Sequence, residues 1–78
     1  MKIREARVRD AQKIAEILPT DVRMTQSEIM EMIQSDSKVY VAADFSANIL
    51  GCALDKSRIY VSKNCYEPGV MEELQKQY

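Results

Sequence analysis

The chain has 78 residues, 46% hydrophobic and 29% charged, and its eleven basic and twelve acidic side chains leave a formal charge of -1. That mixture belongs to a folding globular domain rather than a disordered segment, although a domain this short buries only about 60% of the surface its unfolded form exposes. No basic block marks a nucleic-acid footprint, no run approaches the roughly 20 apolar residues of a membrane span, and MKIREARVRD lacks the apolar core of a secretory signal. Histidine is absent, and the two cysteines, Cys52 and Cys65, are too few for a disulfide framework and lack metal-site spacing. These features predict one domain over residues 1–78 in a reducing cytoplasm, with two free thiols and neither nucleic acid nor membrane as partner.

Lys2 to Ala6 reads as an opening strand. Asp10 is placed as an N-cap, its carboxylate accepting from the next turn, and Ala11, Ile14, Ala15 and Leu18 then form one apolar stripe that Pro19 stops. Thr25 and Glu28 have the spacing of a capping box, with Met24 and Ile29 placed as its hydrophobic staple. Ile29, Met32 and Ile33 supply the inner face of that second helix, and Ser35, Asp36 and Ser37 close it.

From Val39 the period becomes two, with Val39, Val41 and Ala43 on one face and Tyr40 and Ala42 on the other. DFSAN makes a turn, and ILGCAL resumes as a strand apolar on both faces, as expected when helices cover a sheet from two sides. A second turn at Asp55, Lys56 and Ser57 leads to RIYVS, a third adjacent strand. After KNCYE, Pro68 is suited to the first helical position, and Met71, Leu74 and Tyr78 share a stripe of the last helix. The predicted order is β-α-α-β-β-β-α, an α/β (α+β) fold on a mainly antiparallel sheet. Nothing after RIYVS reads as a strand to pair with it, so that edge predicts a homo-oligomer.

This order, with IREARVRDAQKIAEIL, VYVAADFSANILGCAL and IYVSKNCYEPGVMEEL, resembles the front half of a GNAT-type N-acetyltransferase. Arg4 and Asp10 match the Arg and Asp usual in the family's opening strand and helix. The third segment is similar to the family's cofactor motif, V-x-P-x-x-R-G-x-G-I/V-G-x-x-L. Val61, Gly69, Val70 and Leu74 agree with it. Lys63 stands for the Pro, Tyr66 for the Arg, Glu67 for the first Gly and Met71 for the last Gly.

The resemblance implies a truncated or minimal domain of that fold, acetyl-CoA as cofactor, an amine as substrate and N-acetyl transfer as activity. It places the acyl-pantetheine arm on the strand around Val61, and the pyrophosphate at the helix start formed by Glu67, Gly69, Val70 and Met71. Free N–H groups and the positive end of a helix dipole give such a start its affinity for anions. Here Pro68, placed at the first helical position, would delete one donor, while Glu67, Glu72 and Glu73 would oppose a phosphate. The family's catalytic Tyr lies beyond the equivalent of Tyr78, so no residue inherits that role. A non-catalytic interaction or regulatory domain that keeps the scaffold without the cofactor is the alternative.

Overall fold

The computed structural model describes residues 1–35 and 38–78, so the expected turn at Asp36 and Ser37 lies outside the described residues. Strand β1 spans Lys2–Glu5, helix α1 Ala11–Ile17, helix α2 Gln26–Gln34, strand β2 Tyr40–Ala43, strand β3 Ile49–Asp55, strand β4 Arg58–Val61 and helix α3 Val70–Gln75. A single 3-10 turn, Val8–Asp10, leads into α1. The four strands form one antiparallel sheet in the order β1-β2-β3-β4, which makes an α+β fold.

Each face of the sheet has its own core. Val39, Val41, Cys52 and Leu54 pack under Ala11, Ile14 and Leu18 of the α1 segment and Ile29 of α2. On the opposite face, Ala42, Leu50 and Ala53 pack under Val70 and Leu74 of α3, with Ile3, Tyr40, Ile59 and Val61 beside them. The alternation expected for β2 therefore holds from Val39 to Ala42, with Val39 and Val41 to one side and Tyr40 and Ala42 to the other, while Ala43, expected beside Val41, is buried where the register shifts. Gly51 lets α3 sit close: a Cβ there would lie 2.9 Å from both the Tyr60 carbonyl oxygen and Val70 Cγ1.

The β2–β3 register departs from simple alternation. Ala42 faces Gly51 but Ala43 faces Ile49, so Leu50 is an extra residue on β3. Such a bulge re-aims side chains. Leu50 consequently joins Ala53 in the α3-side core, while Ile49 packs toward α1 and α2.

Three local expectations are corrected. Asp10 is the N-cap of α1 by position, but its carboxylate makes no capping bond there; it accepts the Arg7 N–H at 2.7 Å and the Arg4 guanidinium at 2.8 and 3.1 Å, closing the 3-10 turn instead. Gly69, in the left-handed region at φ 81°, is the N-cap of α3, so Pro68 precedes the helix and removes none of its donors. The inner stripe of α3 is Val70 and Leu74, spaced i to i+4, while Met71 is exposed. Tyr78 lies past the helix, where its hydroxyl donates to the carbonyls of Lys38 at 2.7 Å and Ala53 at 3.2 Å and its ring meets Tyr40 edge-on at 5.5 Å.

The α2 cap is as expected: the Glu28 N–H donates to Thr25 Oγ1 and the Thr25 N–H to Glu28 Oε1, both at 3.1 Å. Leu18 ends α1 in an extended conformation, as the steric demand of Pro19 on its predecessor requires. Cys52 is buried under α1 and α2 while Cys65 packs on the α3 side, so the two thiols are free and lie on opposite faces.

Candidate functional site

β4 forms one edge of the sheet, and its hydrogen-bond phase follows from its neighbour. The Ser62 N–H donates to the Leu50 carbonyl at 2.8 Å. Bonded and unbonded pairs alternate along an antiparallel ladder. Tyr60, opposite Cys52, therefore also turns its backbone groups inward, and Ile59 and Val61 turn theirs to the open side. The side chains of Ile59 and Val61 meanwhile pack toward α3. The edge thus offers backbone donors and acceptors with its apolar side chains already committed.

Beyond Val61 the chain turns tightly. The Cys65 N–H donates to the Ser62 carbonyl at 3.1 Å, and the Cys65 thiol donates to the Glu67 carbonyl at 3.4 Å. The Glu67 carboxylate lies 3.6 Å from the Met1 ammonium. No atom would crowd a Cβ on Gly69, so glycine is there for its positive φ and not for space. The first intrahelical bond of α3 runs from the Glu73 N–H to the Gly69 carbonyl at 3.0 Å, which leaves the N–H groups of Val70 and Met71 without helical partners. The Val70 side chain is buried in the core and only its backbone reaches the helix start.

An open groove of about 790 Å³ lies at this end of the sheet, between the end of α1, the β2–β3 turn and the segment after β4. Val61 lines it, whereas Glu67, Gly69, Val70 and Met71 do not. The residues of the sequence-derived site are thus split between the groove and the α3 start.

Sequence reasoning missed what the groove does contain, notably Lys13, Asp44, Asn48 and Ser62. The signal was weak, because Asp44 reads as an ordinary turn residue. In the fold it accepts from the Ser46 N–H at 2.8 Å, the Asn48 N–H at 2.9 Å, Asn48 Nδ2 at 3.1 Å and the Tyr66 hydroxyl at 2.9 Å. The Asn48 N–H, with the other donors, holds the Asp44 carboxyl below its usual range. The hydrogen bond to Asp44 pushes the Tyr66 phenol up. A phenol already donating to a carboxylate is a poor proton source for a substrate, and a carboxylate this well satisfied is a weak base.

The acetyl-CoA that the resemblance implies has an amide-bearing arm and a pyrophosphate, and the two ends fare differently. The outward amides of Ile59 and Val61 suit the arm. The α3 start is poorer for an anion: α3 has six residues and carries Glu72 and Glu73 in its first turn. Among the described residues, no group of three or more His, Cys, Asp and Glu could hold a metal ion, and no helix is long and apolar enough to cross a membrane. No family model, no curated protein and no solved structure matches this chain.

Proposed function

We propose that this chain carries the scaffold of a GNAT-type N-acetyltransferase, with acetyl-CoA as acyl donor and an amine as acceptor. The observation that carries the reading is the free edge of β4, with outward amides at Ile59 and Val61, followed after the turn at Ser62–Cys65 by a left-handed Gly69 and the start of α3. When bound, the cofactor supplies an activated thioester for attack by the amine.

The residues of the chain divide the binding between them. Ile59 and Val61 hold the amide-bearing arm by backbone hydrogen bonds. The N–H groups of Gly69, Val70 and Met71 face the pyrophosphate, against the charges of Glu72 and Glu73. Each exposed charge beside a helix start is worth about 0.3 to 1 kcal/mol, so the two glutamates weaken binding about threefold to thirtyfold. Asp44 and Tyr66 of the groove satisfy one another, so neither serves as base.

A second reading, a non-catalytic interaction or regulatory domain on the same scaffold, draws on a separate observation. Phe45 is fully exposed at the tip of the β2–β3 turn, beside the groove. Calorimetric titration of acetyl-CoA into the chain and into a Glu72→Gln/Glu73→Gln variant separates the two. Neutralising both charges is expected to tighten binding about threefold to thirtyfold, with the gain fading as salt is raised. No heat in either protein at several millimolar acetyl-CoA would favour the second reading.

A further inference from the structure

The open side of β4 is self-complementary, and we propose that two copies of this chain pair there antiparallel about a two-fold axis at Tyr60. The register follows from parity and strand length. Only Ile59 and Val61 turn backbone groups outward within β4, so a bonded ladder must set outward residues against outward residues. Three symmetric registers do so. Ile59 opposite itself would set Ser57 against Val61 of the second copy, but the Ser57 N–H is already bound to Asp55 Oδ1 at 2.8 Å. Val61 opposite itself would set Ile59 against Lys63, which lies in the loop beyond the strand. Ile59 opposite Val61 uses both outward positions twice and gives four backbone hydrogen bonds.

The side chains agree with this register. Arg58 falls opposite Ser62 and Ser57 opposite Lys63, so no like charges face each other, and Arg58 is balanced by Asp55 at 2.8 Å within its own chain. Ile59 and Val61 of the two copies adjoin on the α3 face, extending that apolar core across the axis. A two-fold normal to the sheet keeps both α1–α2 pairs on one face and both α3 helices on the other, in one eight-stranded sheet. The pairing does not rest on the acyl-CoA reading, and it is measured without ligand.

Sedimentation equilibrium of the full chain, from about ten micromolar to about one millimolar, is expected to show a reversible dimer of the weak, small-interface class. Val61→Pro removes an outward N–H, which an edge strand tolerates, and deletes two of the four bonds. It is expected to weaken dimerisation about tenfold or more. Register is read by disulfide trapping in a Cys65→Ser background with oxidised glutathione. Tyr60→Cys faces itself across the axis in an unbonded pair and is expected to cross-link. Ile59→Cys, about 8 Å from its counterpart by strand spacing and rise, is expected not to. A chain that is monomeric over the whole range, or Ile59→Cys linking as readily as Tyr60→Cys, overturns the proposal.

Discussion

A methyl group added to Gly51 meets the Tyr60 carbonyl oxygen and Val70 Cγ1, and Leu74 Cδ1 lies 3.4 Å away. Backbone oxygen cannot give way, so Gly51→Ala is expected to lift α3 and cost about 1 to 3 kcal/mol by thermal or urea unfolding. Gly69→Ala meets no atom and strains only its positive φ, for about 1 kcal/mol. Equal losses in the two variants would contradict this assignment of roles. Asp10 is the one buried charged residue among those described, with its Arg4 partner on β1. Burial alone would raise its carboxyl, but the Arg4 hydrogen bonds, the Arg7 N–H and the Arg4 charge together hold it below its ordinary value. A carboxyl lower in the folded than in the unfolded chain adds stability that is present above the unfolded value and is lost as pH falls through the folded one. Urea unfolding between pH 6 and pH 2.5 is therefore expected to show this loss below about pH 4. Asp10→Asn should lower stability at pH 6 by about 2 to 3 kcal/mol and flatten the acid limb. An unchanged acid limb in that variant would contradict the role of the pair.

At the level of elements, local chemistry decided how much was readable from sequence. Thr25 and Glu28 close the α2 cap as their spacing demands, and Thr25→Ala is expected to cost about 1 kcal/mol, seen as a lower melting temperature. The two-residue period of β2 and the stop at Pro19 were equally legible, because each rests on neighbours a few positions away. Leu50 was not. Whether β3 bulges depends on its register with β2, and no pattern within ILGCAL sets that register. Pro68 misled for a related reason: it suits the first helical turn, but Gly69 adopts a positive φ and moves the helix start past it. Tyr78 continues the α3 stripe by count, yet the helix ends before it and its hydroxyl spans to Lys38 and Ala53 across the sheet. Burial and its neighbours push that phenol up to about 12, so it stays protonated and donating near neutral pH. Tyr78→Phe is expected to cost about 1 kcal/mol in urea unfolding, and no loss would show that the hydroxyl contributes nothing to holding α3 down.

For the molecule as a whole, α1 and α2 cover one face of the sheet and α3 the other, so free backbone hydrogen-bonding capacity is left at the edges. The site residues read from sequence are divided, because Val61 ends β4 at the groove while Gly69, Val70 and Met71 lie at the start of α3. The groove was illegible because it is built from α1, the β2–β3 turn and the post-β4 segment, which are distant in sequence. In the proposed arrangements, an acyl-CoA arm and a second copy of β4 would use the same outward groups of Ile59 and Val61, so ligand would draw the chain toward monomer. The most direct measurement is an amide-resolved NMR titration of the labelled chain with acetyl-CoA at protein concentrations below dimerisation. Shifts centred on Ile59, Val61, Ser62 and Gly69 to Met71, with β1 unmoved, are the expected result. Spectra unchanged at several millimolar acetyl-CoA, or shifts confined to residues away from β4 and α3, would contradict the proposed site.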